Sequence, residues 1–256
     1  MTSTADTILQ QLVEMSLSLA RPDRDLVILG EGNTSAAVGD GTFYVKASGT
    51  QLPQATPASF VRLHIEATAA IADQEHLSDD AFKAALDATK VDPGDARRPS
   101  TETVLHAVAL GEFGARFVGH THPIAVNAIM CSVAAEEALR GRLFPDEIVV
   151  CGPAPAYVPY TDPGFELARQ TRQVLRRYAD EYGLPPRVVV MQNHGLIALG
   201  GSAQEVDSIT DMFVKTCRVL AGTYAFGGPH FMSAGNADRI HTRPDEVYRR
   251  RELKLS

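Results

Sequence analysis

Cysteine, positive charge and long apolar runs are all scarce in this 256-residue chain. The three cysteines, Cys131, Cys151 and Cys217, are widely spaced, odd in number and form no CxxC pair. That excludes a disulfide framework and a zinc ribbon, and leaves them as small buried residues in a reducing compartment. Lys and Arg total 24 against 31 Asp and Glu, a formal net charge of -7. The one basic run, Arg249 to Arg251, makes no stripe along a face, so no nucleic-acid partner is expected. No stretch approaches the roughly 18 apolar residues of a membrane span, and Met1 to Asp6 has no positive charge leading into an apolar run. No membrane partner is expected, and the chain should remain in the cytoplasm.

What is present is an ordinary globular balance, 45% apolar and 21% charged. No repeat, low-complexity tract or long linker divides it. One domain over residues 1–256 is expected, with a tail from about residue 227 whose weak apolar periodicity reads as a surface-bound segment. Ile8, Leu12, Met15 and Leu19 recur at helical spacing behind Ser3 and Thr4, which can cap a helix. Leu26–Leu29 is an apolar, strand-like run, and Ala36–Val38 and Thr42–Val45 flank Asp40-Gly41, a hairpin turn pair. Val61, Leu63 and Ile65 alternate with polar residues, as in a half-buried strand or the start of a helix.

Further along, residues 100–110 have a helical pattern, and residues 116–122 read as a strand feeding a helix over 124–131. Glu147–Val150 and Arg187–Met191 look like strands; between them, residues 165–182 form a helix ended by Gly183. Ser202 with Glu205 is a capping-box pattern opening a last long helix. The fold class that follows is α/β with mixed, largely antiparallel strands.

Two residues apart on a strand, His120 and His122 point to one face and can share a metal ion. With eight histidines in the chain, such a pair arises easily by chance. His194, in the Asn193-His194-Gly195 turn, is either the third ligand or a solvated ring; three imidazoles would leave a tetrahedral metal with an open, catalytic position. Glu102 follows Pro99-Ser100-Thr101 and is either a helix-capping carboxylate or a general base beside the metal. Ser100 and Thr101 either cap the same helix or bind a phosphate with its free N–H groups. Gly30-Glu31-Gly32-Asn33-Thr34-Ser35 is no dinucleotide fingerprint, because it leads into a hairpin and lacks the third glycine. Asn33, with Lys46, Ser48 and Gly49, can line a small-ligand pocket instead.

Taken in order, Gly32-Asn33-Thr34-Ser35, Ala47-Ser48-Gly49, Pro99-Ser100-Thr101-Glu102, His120-Thr121-His122 and Asn193-His194-Gly195 resemble the motif series of the class II aldolase/adducin family. Val158-Pro159-Tyr160 and Pro163-Gly164-Phe165 are similar to the aldolase part of bifunctional rhamnulose-phosphate aldolase/dehydrogenase proteins. The resemblance implies a three-layer α/β/α domain around a mostly antiparallel sheet, in a homo-oligomer, usually a tetramer with sites between subunits. It implies Zn2+ on His120, His122 and His194, with Mn2+ or Co2+ as alternatives, and Glu102 as the residue that moves protons at the substrate carbon. Asn33, Ser48, Gly49, Ser100 and Thr101 would hold the phosphate of a small sugar. The implied reaction is retro-aldol cleavage of a ketose 1-phosphate to dihydroxyacetone phosphate and an aldehyde. A dehydratase or 4-epimerase of the same fold is the alternative, and a non-catalytic adducin-like interaction module the third reading. The proton-donor tyrosine that fuculose-phosphate aldolases take from a neighbouring subunit has no counterpart in residues 140–146; Tyr248 in the tail is a candidate substitute. His106, one turn after Glu102, reads as a packed helix residue without a catalytic role.

Overall fold

A computed structural model describes residues 3–252, so the first two residues and the last four of the expected tail lie outside the described residues. The chain opens with α1 (Thr4–Leu19), where Ser3 and Asp6 close a reciprocal capping box. Its stripe of Ile8, Leu12, Met15 and Leu19 is buried, each side chain contributing about 1.5–3 kcal/mol. There follow β1 (Asn33–Ala37), β2 (Thr42–Lys46), β3 (Phe60–His64), α2 (Ile65–Ala69), α3 (Asp79–Ala88), α4 (Thr103–Glu112), β4 (Phe117–Thr121) and α5 (Ile124–Met130). The second half holds α6 (Ala135–Ala138), α7 (Pro145–Cys151), β5 (Ala156–Val158), α8 (Phe165–Tyr182), β6 (Val188–Met191), β7 (Gly195–Gly200) and α9 (Ala203–Thr223), then α10 (Ala234–Thr242) and α11 (Pro244–Glu252).

The seven strands form one sheet in the order β3-β2-β1-β4-β7-β6-β5, antiparallel throughout except for the parallel pair β5 and β6. Two apolar cores lie on its two faces. One joins the sheet to α3, α4 and α8 through residues such as Phe43, Val108, Val118 and Leu175; the other joins it to α1, α5 and α9 through Leu12, Phe117, Val126 and Phe213. The strand β4 is central and buried along its whole length. Its alternation sends Val118 and His120 toward α4 and Phe117 and Gly119 toward α1 and α9. Among the described residues, no helix is long and apolar enough to cross a membrane.

Two sequence expectations fail for local reasons. Residues 26–29 form a loop, not a strand: Asp25 and Leu29 take φ of 55° and 50°, and the Glu31 carboxylate accepts the Ile28 N–H at 2.9 Å, closing a turn. Residues 147–150 belong to the helix α7. Pro145 sits in its first turn, and the Glu147 carboxylate accepts the Leu143 N–H at 2.8 Å and pairs with Arg142 at 2.5 Å. A four-residue apolar run suits either element, and here the proline and the acidic first turn decide. The tail is also more ordered than its periodicity predicts, with α10 packed against α7 and α11.

Candidate active site

The ends of β4 and β7 bring three histidines together. His120 is the penultimate residue of β4, and His122 lies just past its end, where its N–H donates to Leu26 O at 2.8 Å. His194 comes from the tight turn between β6 and β7, where Asn193 adopts φ 53° and the His194 N–H returns to Met191 O at 3.2 Å. The three ring centroids are 4.7, 4.9 and 5.1 Å apart. Such closeness needs a residue without a side chain at Gly195, where a Cβ would lie 2.5 Å from Thr121 O and 2.9 Å from His122 Cδ2.

The donor set suits a divalent cation. One ligand nitrogen from each ring lies within 4.8 Å of the other two. The His120 Nδ1–H donates to Leu196 O at 3.0 Å, so its Nε2 carries the lone pair. His122 turns Nδ1 toward the Glu31 carboxylate at 3.7 Å and Nε2 toward His120 Nε2 at 2.9 Å. With its lone pair free, His120 Nε2 can accept a proton from His122 Nε2 at that separation, and a shared cation can take the proton's place. Burial pushes the His120 pKa down to about 3, which keeps the ring neutral and able to ligate.

Glu102 is the carboxylate of this cluster. It occupies the N-cap position of α4 but caps nothing with its side chain. Instead its oxygens lie 3.1 Å from His194 Nε2 and 3.3 Å from His120 Nε2, and one accepts the Asn33 amide at 2.6 Å. Burial pushes this carboxyl up, while hydrogen bonds from the His194 ring and the Asn33 amide act the other way and hold its pKa below the usual carboxylate range. The structure therefore turns Glu102 toward the ligands rather than toward the helix N–H groups.

These groups line a cleft of about 250 Å3 together with Gly30, Glu31, Gly32, Lys46, Ser48, Gly49, Ser100 and Thr101. The nine residues to which the resemblance gives a site role, Asn33, Ser48, Gly49, Ser100, Thr101, Glu102, His120, His122 and His194, meet there. Ser100 Oγ accepts from Asn33 at 3.2 Å and from the Glu102 N–H at 3.3 Å, leaving its own proton to donate.

The sequence profile described as "Class II Aldolase and Adducin N-terminal domain" matches residues 10–221. The chain belongs to this class II aldolase and adducin family. Among solved structures, the class II aldolase domain of a conserved protein from Thermoplasma acidophilum is similar at 24% identity and TM-score 0.66, covering 83% of this chain and 93% of that one. An L-fuculose 1-phosphate aldolase is similar at 16% identity and TM-score 0.69, with 92% and 94% covered. A curated relative from Nocardia farcinica (strain IFM 10152) is a probable bifunctional methylthioribose-1-phosphate isomerase/methylthioribulose-1-phosphate dehydratase, 25% identical over 197 residues. The match covers 75% of this chain, which spans only 32% of that relative's length.

In this class II aldolase domain, three residues stand out that sequence reasoning valued too little. Lys46 is a buried cation in the cleft, with Nζ donating to Thr50 O at 2.7 Å. Glu31 faces His122, a contact foreshadowed only by its place inside the Gly30–Ser35 motif. His106 is fully buried and bonded to Asn33 and Ser35. Tyr248 lies exposed on α11 and does not line the cleft.

Proposed function

We propose that this chain is a divalent-metal-dependent lyase that cleaves a small ketose 1-phosphate into dihydroxyacetone phosphate and an aldehyde. The observation that carries the reading is a buried carboxylate within 3.3 Å of two imidazole nitrogens of a three-histidine cluster. His120, His122 and His194 would hold the metal, with Zn2+ the first choice and Mn2+ or Co2+ compatible with neutral imidazoles. When bound, the cation supplies Lewis-acid stabilisation of the negative charge that develops on the substrate's carbonyl oxygen.

The chain's own residues do the rest. Breaking a carbon–carbon bond beside a ketone takes one proton from a hydroxyl and gives one to the carbon, so Glu102 can hold the proton between these events. The Ser48 and Ser100 hydroxyls, the Thr101 hydroxyl and the Gly49 backbone supply neutral donors for a phosphate at the start of α4, where free N–H groups favour an anion. The working form is a homo-oligomer in the cytoplasm, a tetramer by family resemblance.

The curated relative supports a second reading, dehydration of a sugar phosphate, which starts from the same metal-polarised carbonyl. Metal-loaded protein offered ketose 1-phosphates and methylthioribulose 1-phosphate separates the two. Dihydroxyacetone phosphate identifies the aldolase, and a product lighter by one water identifies the dehydratase. An isomeric ketose phosphate of unchanged mass identifies the 4-epimerase, and no product of any kind, with metal fully bound, leaves the adducin-like interaction module.

A further inference from the structure

We propose that His106 and Ser35 form a buried positioning relay that fixes the Asn33 amide and, through it, the Glu102 carboxylate. The proposal rests on the reading of Glu102 as the group that moves the proton.

The relay is built by two periodicities meeting. Asn33 and Ser35 are two apart on β1 and share a face; their cross-strand partners on β4 are His120 and Val118, whose side chains point toward α4. Glu102 and His106 are four apart, on one side of the first turn of α4. Where the faces meet, Asn33 Nδ2 donates to Glu102 Oε2 at 2.6 Å and to Ser100 Oγ at 3.2 Å, and Asn33 Oδ1 accepts from His106 Nε2. Because a carbonyl oxygen only accepts, the His106 proton sits on Nε2. Nδ1 is then an acceptor, and the Ser35 hydroxyl fills it at 2.7 Å.

The donors run in one direction, from Ser35 through His106 and Asn33 to Glu102. Both contacts of the Asn33 amide nitrogen, to Glu102 and to Ser100, lie on the side of the carboxylate. Ser35 and His106 are at 0% exposure, so no bulk water reaches that end of the relay to replace a lost partner. Without a donor at His106, only Glu102 and Ser100 orient the Asn33 amide, which loses the bond that holds its oxygen in place.

Three substitutions at one site test this. His106→Gln keeps a donor where Nε2 lies; His106→Asn reaches only toward Ser35; His106→Leu offers neither. The Leu and Asn variants should lower kcat about 10²-fold, the scale of a small misplacement of a reacting group, with KM and metal content nearly unchanged. The Gln variant should recover most of the loss. In a Glu102→Gln background, His106→Leu should cost nothing further, because the relay acts through that carboxylate.

Two readouts stand apart from turnover. Histidine 15N spectra of the zinc-loaded protein should show His106 as the Nε2–H tautomer. A crystal structure of His106→Leu should show the Asn33 amide turned or Glu102 moved away from His120 and His194. A His106 ring protonated on Nδ1, an unmoved Glu102 in the Leu variant, or Gln and Leu variants slowed alike would overturn the relay. A wild-type protein with no turnover, but with the expected tautomer and the expected displacement, would leave the relay standing and overturn the lyase reading instead.

Discussion

On the proposed reading, Glu102 concentrates the chemistry of the site in one side chain held by His194 and Asn33. Replacing it by Gln keeps its shape and its contact with Asn33, but removes the group that can exchange a proton. Turnover of any cleavable substrate should fall by about 10²- to 10⁴-fold, with metal content unchanged, as steady-state rates and metal analysis would show. His106 gives a prediction that needs no substrate. Burial pushes its pKa down to about 4, against roughly 6.5 in an unfolded chain. The unfolded state therefore takes up this proton first. The stability that the neutral ring contributes is present above about pH 6.5 and is lost as pH falls toward 4, amounting to about 3 kcal/mol across that window. Unfolding free energies of His106→Gln should show a correspondingly flatter decline than wild type; parallel curves would mean that the ring is not neutral and dry.

Among the elements, β4 does the most positioning, because its strict alternation places His120 over α4 while Gly119 lets α1 and α9 close on the other side. At Gly119 a Cβ would meet Val206 Cγ1 at 2.6 Å. The β6–β7 turn is as exacting. Gly195→Ala should force apart Thr121 and His122, weakening metal binding at least ~10-fold and lowering stability by about 1–3 kcal/mol; metal titration with thermal unfolding would check both, and unchanged affinity would show that the turn has slack. Elements with strong local signals were legible beforehand. Examples are α1 behind Ser3, α8 ending at Gly183 in the left-handed region, and α9 behind Ser202, whose hydroxyl accepts the Glu205 N–H at 3.1 Å. Short apolar segments were not, since Leu26–Leu29 and Glu147–Val150 carry no period of their own and take their form from Glu31, Pro145 and Arg142.

For the molecule as a whole, metal binding should report on folding, because the three ligands are contributed by strand ends that meet only in the native sheet. At free metal about 100 times Kd, the gain is about 2.7 kcal/mol, or roughly 5–10 °C in Tm for a chain of this size. A chelator should reverse it, and His120→Ala with His122→Ala should show neither metal nor shift; full occupancy in that double variant would refute the site. The sequence by itself determined the order of the motifs, the alternation that pairs His120 with His122, and the family those motifs resemble. These are local properties, fixed by residue type and spacing. Only the tertiary structure decided whether Glu102 caps α4 or faces the histidines, and whether His194 is solvated or joins them. It also decided that His106, four residues after Glu102, meets Asn33 and Ser35 from 71 to 73 residues away. Those outcomes depend on sheet register, which brings Asn33 opposite His120 and Thr121 opposite Leu196. Register is set by the burial of both faces of the sheet at once, a condition that no single segment carries.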